Sequence, residues 1–107
     1  MQKIDIENLK QFAESNPERR FEIGSEEARV GLDQEFLTLS LTPKAWDLCY
    51  LTQFKFSPDG DLTELQAYNS SSHLPQVFTK ERTPKRWGEI EALGHEVAKV
   101  VLVEVKK

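Results

Sequence analysis

Cysteine is almost missing from this chain: Cys49 is the single one in 107 residues. An intramolecular disulfide and a cysteine-built zinc cage are therefore excluded. Histidine is scarce as well, and His73 and His95 lack the short ligand spacing of a metal motif. No metal or cofactor is expected. The five glycines form neither a G-x-G-x-x-G nor a G-x-x-x-x-G-K-[ST] loop, so the usual phosphate cradles of nucleotide enzymes are absent. Asp59-Gly60-Asp61 begins like a calcium loop, but Ser70 stands where a bidentate glutamate is required, which excludes an EF-hand.

Long apolar runs are lacking too. The longest, 48–51 and 100–103, fall far short of the roughly 20 residues that span a bilayer. Residues 1–7 lack the basic-then-apolar pattern of an export signal, and the expectation is a cytoplasmic protein with no membrane partner. Nor is there a basic excess, because 14 Lys and Arg face 18 Asp and Glu for a net charge of −4. That balance opposes direct nucleic-acid binding.

What remains is an ordinary globular composition, 38% hydrophobic and 30% charged, in a length that suits one domain over 1–107. Asp5 reads as the N-cap of a helix that turns Leu9, Phe12 and Ala13 to the core and stops before Pro17. From Arg19 the apolar period becomes two, through Phe21 and Ile23, then Ala28, Val30 and Leu32, then Leu37, Leu39 and Leu41. Three strands follow, with turns at Gly24-Ser25 and Asp33-Gln34. Residues 48–56 read as a central strand with Tyr50, Phe54 and Phe56 on one side and Cys49 and Leu51 on the other. Pro58 and Gly60 mark a hairpin, 62–68 is its returning strand, 69–72 is a polar loop and 76–79 a short edge strand.

Thr83-Pro84 opens the last helix, the threonine capping and the proline at the first helical position, with Trp87, Ile90, Leu93 and Val97 on one face. Gly94 is a candidate end, and the valines of 99–105 favour a terminal strand, although the helical spacing can also continue through them. The expected fold is α+β: an N-terminal helix, a largely antiparallel sheet of four to six strands, and a C-terminal helix packed on one sheet face. Thr38, Ser40, Thr42, Gln53 and Lys55 fall on the opposite face, a solvated or binding surface. The echo between residues 42–46 and 83–87, identical at four of five places, reads as two capped turns with an anchoring tryptophan.

No catalytic constellation is legible, and Cys49 reads as a small core hydrophobe. Two charged groups stand out. The whole net charge of −4 sits in residues 1–48, where Glu22, Glu26, Glu27, Asp33 and Glu35 are candidate partner-binding residues for a basic protein. Lys80, Arg82, Lys85 and Arg86 crowd the start of the last helix and are candidate anion- or ligand-binding residues. The expectation is a non-enzymatic, acidic interaction module of the inhibitor, immunity or phage-antagonist kind. The alternative is a small-ligand binder or enzyme with a pocket between a curved sheet and the last helix, lined by Tyr50, Tyr68, His95 and a carboxylate.

Overall fold

The computed structural model describes residues 6–16, 20–24, 26–43, 51–68 and 76–105. Asp5, Ser25, Trp46, Cys49, Tyr50, the polar loop at 69–72 and His73 therefore lie outside the described residues. Helix α1 (Ile6–Ser15) buries Ile6, Leu9 and Ala13, with Phe12 packed at the edge of the core. Those positions recur at three- and four-residue intervals, which makes one apolar stripe on a 3.6-residue period. The Asn16 backbone and side-chain amides both donate to the carbonyl of Phe12, at 2.9 and 3.2 Å, and so close the helix end.

Six strands follow in chain order as one antiparallel meander: β1 (Arg20–Ile23), β2 (Glu26–Asp33), β3 (Phe36–Pro43), β4 (Leu51–Phe56), β5 (Leu62–Tyr68) and β6 (Gln76–Phe78). The first connection carries Gly24 at φ +60°, a conformation that costs glycine nothing. The next is the two-residue turn Gln34-Glu35, one place beyond the turn that the sequence predicts, and there Gln34 takes φ +57° despite its side chain. The β4–β5 connection is built as its Pro and Gly predict. Gly60 donates to the Ser57 carbonyl at 2.9 Å, Ser57 donates to the Asp61 carbonyl at 2.8 Å, and Gly60 sits at φ +91°.

The alternation of side chains sends Ala28, Val30, Leu37, Leu39, Phe54 and Phe56 to one sheet face. On β5 the apolar residues Leu62 and Leu65 are three apart, an odd spacing that points to opposite faces of a regular strand. A bulge resolves this: Lys55 pairs with Glu64 while Phe56 pairs with Leu62. Thr63 is the extra residue, and its hydroxyl donates to the Lys55 carbonyl at 3.0 Å. Both leucines consequently enter the core.

Helix α2 (Trp87–Val105) corrects several expectations. The residues read as a terminal strand are helical, and Gly94 lies in mid-helix. Trp87, Ile90, Gly94, Ala98 and Val101 recur at three- and four-residue spacing and are buried against the sheet. Burying such side chains contributes about 1.5–3 kcal/mol each, which outweighs the tenths of a kcal/mol by which valine disfavours a helix. Leu93, placed with the core by the sequence, is 52% exposed, because Gly94 rather than Leu93 faces the sheet. Thr83 does not cap through its side chain. Its hydroxyl donates to the Thr79 carbonyl at 2.9 Å, and the first full helical bond runs from the Ile90 amide to the Arg86 carbonyl. Residues 84–86 form a separate turn before the helix.

A Cβ at Gly94 would stand 3.1 Å from both Phe54 Cδ1 and Leu62 Cδ2. Gly94→Val is accordingly expected to lower stability by about 2 kcal/mol through overpacking. Trp87→Ala, which empties the buried start of α2, is expected to lower it by about 3 kcal/mol or more. Urea midpoints at unchanged slope check both; an unaltered midpoint for either would contradict the packing described.

Candidate functional site

Both helices pack on the apolar face, so the opposite face of the sheet stays open. On it the register sets Arg20 directly opposite Arg29 and Glu22 directly opposite Glu27. Like charges in that relation destabilise a sheet. Strand twist brings one diagonal together and draws the other apart, and Arg20 Nη1 meets Glu27 Oε1 at 3.1 Å. Arg29 is left exposed, with no ion pair to a described residue.

Beside Arg29 opens a cavity of about 510 Å³. It is lined by the consecutive β2 residues 29–33, by Thr38, Ser40 and Gln53 of the next two strands and by Ala13 of α1, so it takes in Val30 and Leu32 of the helix-covered parity as well as open-face residues. Thr38 is only 9% exposed, and its hydroxyl, which has no hydrogen-bond partner among the described residues, keeps its contact with solvent. Gly31 makes room for it: a Cβ there would stand 3.0 Å from Thr38 Oγ1. Gln53 Nε2 donates to Ser40 Oγ at 3.3 Å, which leaves the serine's own hydrogen available to donate. Lys55 reaches across β3 to Asp33, with Nζ 3.3 Å from Oδ2 and 4.9 Å from the Phe36 ring centroid. With Asp33 answered by Lys55, Arg29 supplies the uncompensated charge of the cavity wall.

The five acidic candidates are not brought together. Glu22, Glu26 and Glu27 cluster at one end of the β1–β2 hairpin, whereas Asp33 and Glu35 lie at the far end of β2, about 20 Å away at ~3.3 Å per residue. Two of them, Glu27 and Asp33, are held in ion pairs. Glu26 has the parity of the helix-covered face, and Glu35 belongs to the turn.

Lys80, Arg82, Lys85 and Arg86 are all exposed on the connection from β6 to α2. Thr79 organises that connection, its hydroxyl accepting from the Arg82 amide at 3.2 Å and its carbonyl from the Thr83 amide at 2.9 Å. The amides of Arg86, Glu89 and Ile90 are likewise donated to Thr83 and Arg86 carbonyls. The backbone donors expected to cradle an anion here are thus largely engaged already.

His95 lies in the core, 7% exposed, with Nδ1 2.7 Å from the Glu91 carbonyl and its ring edge-on to Phe56 at 6.2 Å. It lines no described cavity, and the space between sheet and α2 is filled by Phe54, Phe56, Leu62 and Ile90. The cavity beside Arg29 is lined instead by polar residues of the other sheet face together with Val30, Leu32 and Ala13. Among the described residues no group of three His, Cys, Asp or Glu is arranged to hold a metal ion, and no described helix is long and apolar enough to cross a membrane.

Arg29 and Gly31 escape the sequence reading, although β2 alternation sets them on the face of Asp33, and a glycine inside a strand marks a close approach. The chain matches no known family, no curated protein and no solved structure. Removing the like-charge contact by Arg29→Thr is expected to raise stability by about 0.5 kcal/mol. A urea midpoint below that of the unsubstituted protein would show that Arg29 has a stabilising role in the sheet.

Proposed function

We propose that the protein is a non-enzymatic interaction module that binds another protein, in the manner of an inhibitor, immunity or antagonist chain, and works in the cytoplasm. Its contact residues are Glu22, Glu26 and Glu27, which meet basic side chains of the partner. The observation that carries this reading is the Glu22–Glu27 pair, directly opposite each other on the uncovered sheet face with Glu26 adjacent. Like charges so placed repel, Arg20 offsets part of that repulsion at Glu27, and a cation of the partner adds to the offset. Asp33 and Glu35, at the far end of β2, contribute to the long-range field rather than to this contact.

A second reading, a small-ligand binder, is favoured by the cavity beside Arg29. It differs from the pocket foreseen between sheet and C-terminal helix, because that interface is packed core.

Capture from cell lysate on the immobilised protein and on the Glu26→Lys/Glu27→Lys variant tests the interaction reading. A basic protein retained by the former and lost by the latter is expected, with an association rate that falls about tenfold or more between about 50 and 500 mM salt. Equal retention by both, or a rate indifferent to salt, would refute it, provided the two proteins have the same circular dichroism.

A further inference from the structure

We infer that the cavity beside Arg29 is a binding site for a single carboxylate group. The inference goes beyond the acidic contact proposed above and does not depend on it. Its basis is a set of hydrogen-bond donors, Arg29, Thr38 and Ser40, that line one cavity. Arg29 offers a guanidinium fork with no ion pair to a described residue, a shape that matches the two oxygens of a carboxylate. On the adjoining strand, Thr38 is nine-tenths buried as a residue, and its hydroxyl has no partner among the described residues and still reaches the solvent of the cavity, where it can donate to a ligand.

Gly31 deepens the recess, because any side chain there would press on Thr38 Oγ1. Ser40 accepts from Gln53 and so turns its own hydrogen outward as a third donor. Ala13 and Leu32 offer an apolar flank to the organic body that bears the carboxylate. The cavity volume of about 510 Å³ lies within the span of about 300–1,000 Å³ usual for small-molecule sites.

Charge selects the ligand class. Arg29 is the cation of the cavity wall, and Asp33, though paired with Lys55, stands on the same wall. One net positive charge suits a monoanion. A phosphate dianion would bring a second charge towards Asp33 with no second unpaired cation among the described lining residues to answer it.

Amide chemical-shift titration of the isotope-labelled full chain tests the assignment, with benzoate as the probe and inorganic phosphate as the comparison. Saturable shifts at Arg29, Gly31, Thr38 and Ser40 are expected with benzoate below about 10 mM, and weaker binding with phosphate. Arg29→Gln and Thr38→Val should each weaken benzoate about tenfold, since each removes a hydrogen bond to a charged group. Their amide spectra outside the cavity should match the unsubstituted protein, and Lys99→Gln on α2 should bind as before. A tetrapeptide with a free C-terminus, run beside its C-terminal amide, separates the two sources of carboxylate. Tighter binding of the free acid than of benzoate identifies a protein chain end, and weaker binding identifies a small organic acid. Shifts that do not saturate by about 50 mM, tighter binding of phosphate, or full affinity in both the Arg29 and Thr38 variants would overturn the inference.

Discussion

The approach of α2 to the sheet at Gly94 is the constraint on which the rest of the architecture depends. With no side chain at that position, the helix backbone comes down onto Phe54 and Leu62, the centre of the apolar face. At that distance Trp87 and Ile90 on one side of Gly94, and Ala98 and Val101 on the other, reach the core. Helix α1 then lies beside α2 over β2 and β3. One face of the sheet is thereby covered by two helices, and most of the described residues on the other are polar.

The register of the strands turns that arrangement into a site. An uninterrupted β5 would expose either Leu62 or Leu65; the bulge at Thr63 lets both enter the core and keeps Glu64 and Gln66 on the open face. On β2 and β3 the strict alternation works without a bulge. Every residue that sends Val30, Leu37 or Leu39 inward sends a neighbour such as Arg29, Thr38 or Ser40 outward. The cavity is the depression left where glycine replaces a side chain in that outward row.

Several features that oppose stability gather on this same stretch of sheet. Arg20 faces Arg29, Glu22 faces Glu27, and Gln34 at the adjoining turn takes a left-handed conformation. Other departures lie in α2, which starts without a threonine cap, carries its valine-rich end against intrinsic preference and buries His95 Nε2 without a hydrogen-bond partner among the described residues. The like-charge pairs of β1 and β2 bear on binding because a partner can supply an interaction that the chain withholds.

The sequence by itself determined the meander and its first helix. A period of two through β1 to β3, Pro58 and Gly60 at the fourth turn, and the apolar stripe Leu9, Phe12 and Ala13 are local signals, and local sterics act on them directly. The polar face was legible for the same reason, since alternation alone sets Thr38, Ser40 and Gln53 on one side. Tertiary structure decided the rest. Valine-rich residues 99–105 became helix because burial against the sheet outweighs intrinsic preference, and Gly94 became a contact point rather than an end because Phe54 and Leu62, far off in the chain, lie beneath it. The acidic residues parted to the two ends of β2, and Arg29 met Thr38 across two strands, because strand length and pairing, rather than nearness in the chain, set which side chains share a site.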